Sequence, residues 1–274
     1  MLITDSPRKE KVVLEAREWL YLAERLGLNR WLDPHHPFHV FLWETPDPEA
    51  GNARETLSNK GYLAETKLGE RLSLPLHVMD DLTAASAACK ACQLTYACGK
   101  RSFEEYLHIS GDQVIRLERL PGAADGFFIE RTIGGKQLSG SLAGRMKWNS
   151  RTPGELPALM MSKKQFDAVM SQAGELDSNR LAALLAGMTD DEEGSIALAK
   201  CMKAPLAHGE IRFYANRGDY WETQQMQFMN NSHMNWLIRF SAKDDEDWMI
   251  ATPTPRQQFQ EILLKWFQQP AEAE

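Results

Sequence analysis

The sequence predicts an α+β protein: an N-terminal helix and mixed segment with a cysteine module, a helical middle, and a C-terminal antiparallel meander closed by a helix. Three observations predict it. Apolar residues recur at helical spacing near the N-terminus and again between residues 163 and 203. After residue 207 the pattern changes to short runs broken by "NRGD", "NNS" and "KDDED". Helix and strand signals fall in blocks rather than alternating, which favours an antiparallel sheet over a βαβ order. We divide the chain into 1–160, an N-terminal α+β region with the cysteine module (89–98) and a basic loop (131–164), and 161–274, a helical segment plus antiparallel sheet and C-terminal helix.

Taken in order, Ser6-Pro7 reads as an N-cap followed by proline at the first helical position. Val12, Ala16, Trp19, Leu20, Ala23 and Leu26 then share a stripe, and Gly27 stops a helix over 7–26. "HPFHVFLWETP" reads as a strand over 37–44, and residues 61–78 fit either short strands or a helix followed by a strand. "YLHISGDQVIRLERL" predicts two strands around Gly111-Asp112, and "GFFIERTIGGKQLSG" a hairpin closed by Gly134-Gly135. Ser162 with Gln165 makes a capping box for a helix over 163–173. Asp177 or Ser178 caps 179–187, and Thr189 with Glu192 caps a helix to about Lys203. "GEIRFYA", "YWETQQMQFM", "MNWLIRFS" and "DWMIATP" form the meander, and a last helix starts near Thr254 with Phe259, Ile262, Leu263, Trp266 and Phe267 on its apolar face.

The chain has 274 residues and a net charge of −7, so its surface as a whole repels nucleic acid. No run approaches the length of a membrane span, and the N-terminus lacks a signal layout, so we expect a cytoplasmic protein with reduced thiols. No H-E-x-x-H, G-x-S-x-G or GxGxxG pattern occurs, and "GGKQLSG" lacks Walker spacing, so an enzyme is less expected than a binding subunit. His35, His36 and His39 lie close in sequence and read as a loop cluster.

Cys89, Cys92 and Cys98 form a C-x2-C-x5-C stretch, and Cys201 is the remaining cysteine. Two thiolates with two residues between them can bind one ion from a single turn, and structural zinc takes four ligands. We therefore expect zinc on Cys89, Cys92, Cys98 and Cys201, with His108 or His77 as other candidates for the fourth ligand, a [4Fe-4S] cluster as the alternative group, and simple packing in an Ala-rich helix or a thiol-redox role as the other readings.

Residues 131–164 carry Arg131, Lys136, Arg145, Lys147, Arg151, Lys163 and Lys164 against one acid, Glu155. Gly134, Gly135, Gly140 and Gly144 let a backbone approach a partner, and Trp148 offers a stacking face. Such a loop is suited to phosphate contacts, and a solvated loop or a loop facing an acidic protein remain alternatives.

"CKAC" with Cys98 and the overall layout resemble the Cas8-like small subunit of type IV CRISPR effectors. That resemblance implies guide RNA and target DNA as partners within a multi-subunit antiviral complex, with cutting or unwinding left to another chain. The expected function is thus a non-catalytic, metal-stapled subunit of a nucleoprotein assembly. The alternatives are an iron–sulfur enzyme acting on nucleic acid and a metal-free protein–protein adaptor.

Overall fold

A computed structural model describes residues 12–43, 52–66, 69–120, 126–150, 156–243 and 246–270. The fold is α+β, with helices and a large antiparallel sheet ending in the expected meander and helix. The chain divides into two compact units that interleave in sequence rather than meeting at residue 160. The first comprises 1–91, 105–132 and 218–221, and the second 92–104, 133–217 and 222–274.

In the first unit, β1 (Val13–Glu15) leads into α1 (Ala16–Leu26) through a capping box in which Glu15 and Glu18 each bond the other's backbone. Gly27 closes α1 in the left-handed conformation, as the sequence predicted. The stretch expected as a strand is instead α2 (Pro37–Trp43). Phe38, Phe41 and Leu42 are buried while Val40 is exposed, a spacing of three and four that buries one helical face. Proline at the first helical position and the His36 Nδ1 acceptor for the Phe38 N–H, at 3.1 Å, start that helix locally. Then come α3 (Ala53–Asn59), the hairpin β2 (Leu63–Thr66) and β3 (Gly69–Leu72), and α4 (Leu76–Ser86). β5 (Arg101–Ser110) and β6 (Gln113–Arg119) form the hairpin expected around Gly111, and β7 (Gly126–Ile133) pairs with β1. Strand order here is β1-β7-β6-β5. Trp19, Trp31, Phe38, Phe41, Tyr106 and Phe127 fill the core with tilted, edge-on and stacked ring pairs at 4.9–6.1 Å.

The second unit holds β4 (Lys90–Cys98), α5 (Gly135–Arg145), β8 (Leu159–Ser162), α6 (Lys163–Gln172), α7 (Ser178–Thr189) and α8 (Glu192–Lys203). The meander is β9 (Ala207–Asn216), β10 (Trp221–Asn230), β11 (Asn235–Lys243) and β12 (Glu246–Pro253), and α9 (Arg256–Gln268) closes it. From the start of β5, strand order is β5-β4-β9-β10-β11-β12-β8. The capping box of Ser162 and Gln165 and the Asp177 cap form as predicted. At α8 the cap is Asp191, which accepts from the Gly194 N–H at 2.9 Å, and Thr189 binds Ser195 instead.

Helices α6–α8 cover β8, β11 and β12, with Leu185, Leu198, Cys201, Trp236, Ile238 and Met249 among the buried contacts. Two buried asparagines tie the segment after α5 to the β10–β11 turn. Asn230 Nδ2 donates to the Met146 carbonyl at 2.9 Å, and Asn235 exchanges hydrogen bonds with the Asn149 backbone at 3.0 and 3.1 Å.

Candidate functional site

The cysteine stretch forms neither a turn nor a helix. It is the interior strand β4, whose first five residues, Lys90 to Leu94, are all buried, the pattern of a strand covered on both faces. Cys92 and Cys98 both lie on it, and six residues at about 3.3 Å each separate them by about 20 Å. Zinc–sulfur bonds of about 2.3 Å need thiolates within about 5 Å of one another. The four thiols expected as a ligand set are therefore not brought together. Cys201 is enclosed in the apolar cluster beneath α6–α8, and burial pushes its thiol up to about 12. Cys98 donates to the Arg145 carbonyl at 3.4 Å, and partial burial raises its thiol pKa against the opposing pull of Lys147. Cys89 precedes the strand, with Arg30 Nη1 at 3.8 Å. Among the described residues no group of three or more His, Cys, Asp or Glu side chains is placed to hold a metal ion.

The basic segment is also not one loop. Gly134, at φ +80°, precedes α5, and Gly135, Gly140 and Gly144 lie along the side of that helix facing α9. A Cβ on Gly135 would meet Leu264 and Phe267 at 3.4 Å, on Gly140 would meet Gln260 at 3.6 Å, and on Gly144 would meet Arg256 at 3.5 Å. The glycines let two helices pack closely; they do not open a backbone to phosphate. Trp148 is not a stacking face for bases. Its ring lies on Phe259 at 3.7 Å and 3°, and its Nε1–H donates to the Thr254 carbonyl at 3.0 Å.

The cations disperse accordingly. Arg131 pairs with Asp81 at 2.6 Å in the first unit, and Lys163 with Asp167 at 2.6 Å in the second. Lys136 sits on α5, Arg145 ends it, Lys147 follows at positive φ, and Lys164 is exposed on α6. Arg151 lies outside the described residues.

His36 and His108 carry unusual environments but structural roles. His36 caps α2 and packs against Trp221 at 4.8 Å. His108 is enclosed by Trp31, Phe38 and Tyr106 at 4.7–5.5 Å. Burial holds His36 down at about 4, with Asp33 opposing and Arg30 and His39 assisting, and burial holds His108 well below its ordinary range.

The concave feature that stands out is in the second unit. β10 and β11 are paired from Asn230–Asn235 only as far as Met226–Arg239. Beyond that point β10 continues to Trp221 and stays beside β9, while β11 stays paired with β12 to Lys243–Glu246. The two hairpins part, and a groove of about 570 Å³ opens between them. Thr223, Gln224 and Gln225 form one wall and Phe240, Ser241 and Ala242 the other. Successive strand residues point to opposite faces, so a groove lined by consecutive residues of both strands follows the gap between them rather than one face of the sheet. Lys163 and Asp167 of α6 border it, as do Arg239 and Asp247. Sequence reading missed this site. Its trace is the polar "ETQQMQ" run in β10, where a strand buried on one face would alternate with apolar residues.

The fold is α+β, and the groove lies within its second unit. No family model and no curated protein matches the chain. Among solved structures it is similar to the Mycobacterium tuberculosis type VII secretion system chaperone EspG5, in its complex with the PE25–PPE41 dimer. The TM-score is 0.61 at 11% identity, over 94% of this chain and 95% of that one. At that identity the likeness is one of fold. No helix among the described residues is long and apolar enough to cross a membrane.

Proposed function

We propose that this chain is a non-catalytic protein-binding subunit, an escort or adaptor that holds another polypeptide through its second unit. The observation that carries the reading is the likeness in fold, over nearly the whole of both chains, to a chaperone that engages a protein dimer. Charge supports it. The basic residues are split between helices and ion pairs, and the net charge is −7, whereas proteins that grip nucleic acid concentrate cations on one face. The rival proposal is the nucleoprotein subunit, Cas8-like or other, that grips phosphate through residues 131–164.

One isolation separates the two. The tagged chain is recovered from its own cells, treated with nuclease, and weighed by native mass spectrometry. A stoichiometric protein partner that survives nuclease and 0.5 M salt (where the Debye length is about 4 Å, against about 30 Å at 0.01 M) supports the adaptor. Co-eluting RNA or DNA whose removal dissolves the complex supports the rival.

A further inference from the structure

We propose that the gap between the β9–β10 and β11–β12 hairpins takes an extended segment of the partner polypeptide, bound as an added strand. The inference rests on the protein-binding reading and specifies the form in which the partner is recognised.

Three observations argue for a strand over other occupants. First, both walls are strand edges. Register between β10 and β11 ends at Met226–Arg239, yet both remain strands for several more residues, β10 beside β9 and β11 paired with β12. Peptide groups on the facing edges beyond that point have no ladder across the gap. Unpaired strand edges are templates for another chain, and strand addition uses main-chain hydrogen bonds for affinity.

Second, the walls are mixed in polarity and largely exposed. Thr223, Gln224, Gln225, Ser241 and Ala242 face solvent, and Phe240 is half-buried against Phe166 and under Lys163. An amphipathic helix needs a continuous apolar trough, whereas here Met226 and Phe240 are set among Thr223, Gln224, Gln225 and Ser241. Its volume, about 570 Å³, is that of a short segment.

Third, its charges balance. Lys163 is held by Asp167 at 2.6 Å, and the lining holds one further cation, Arg239, and one further acid, Asp247. A polyanion needs excess cations along its track, so nucleic acid is disfavoured here. A neutral peptide backbone needs none.

The test uses the whole chain and a displayed library of random eight-residue peptides. Selected peptides are synthesised with blocked ends and as versions N-methylated at alternate residues. We expect binders whose affinity falls about tenfold or more on N-methylation in one alternation phase and little in the other, the sign of main-chain bonding along one peptide edge. Hydrogen exchange of the protein should slow at 223–225 and 240–242 on peptide addition. Binding that is insensitive to N-methylation, protection confined to other segments, or a library that yields no binder would each overturn the proposal. If such a failure coincides with a stable protein partner in the nuclease-treated isolate, strand addition falls and the adaptor reading stands. If no partner is isolated, the adaptor reading falls by itself.

Discussion

Gly209 on β9 shows how tightly the interior of the second unit is assembled. A Cβ there would lie 2.3 Å from the Thr95 carbonyl oxygen and 2.5–2.6 Å from Tyr96, so the neighbouring strand must shift. Gly209→Ala should destabilise by about 3 kcal/mol, as overpacking against backbone does, seen as a lower urea midpoint at unchanged slope. His36 and His108 set a pH limit by another route. Their imidazoles are held neutral in the fold, and a protonated His36 could not accept the Phe38 N–H. Between about pH 6.5 and 4 the unfolded chain therefore binds more protons than the folded one. Their contribution is present above about pH 6.5 and declines as pH falls through that window. His108→Phe, which keeps the ring inside its aromatic surround, should flatten the fall in melting temperature between pH 7 and 4.5. An unchanged slope would remove His108 from that account.

Elements explain why some of the sequence was legible and some was not. Capping boxes and the period of the last helix are local, and Ser162–Gln165, Asp177 and α9 formed where expected. β4 was opaque because a strand buried on both faces loses its alternation. Its small residues then read as helix or metal knot, and only the neighbouring strands decide. α2 was misread as a strand because a short run of Val, Phe and Leu fits either period until its exposed face, at Val40, is known. In α5 the glycines suggested a loop; they mark close packing on α9.

That distinction is measurable. Gly140→Ala puts a methyl at an ordinary 3.6 Å from the Gln260 side chain, and a helix-interior glycine costs up to about 1 kcal/mol relative to alanine. The variant should therefore be more stable by a few tenths to about 1 kcal/mol. A loop would give no gain of that kind. The thiols divide by element as well. Under native conditions at pH 8, alkylation should modify Cys89 first and Cys98 more slowly, whereas Cys92 in β4 and Cys201 in α8 should react only after unfolding. Protection of all four that a chelator abolishes would instead point to the expected zinc site and require a different arrangement of β4.

At the scale of the molecule, the fold class followed from the order of helix and strand blocks, but the partition into units did not. A boundary at residue 160 supposes that the chain completes one body before starting the next. The structure returns to the first unit at 105–132 and 218–221, a long-range arrangement that no local signal marks. The function was legible only as a ranking of alternatives. Of the three classes weighed, the adaptor is the one we propose, with the groove between the hairpins as the proposed place of its partner. The most direct test is hydrogen exchange on the chain alone and on the chain with its co-isolated partner. We predict slowed exchange at 223–225 and 240–242 in the complex. Unchanged exchange there, or an isolate that holds nucleic acid and no protein, would contradict the claim that this unit binds a polypeptide through its parted strands.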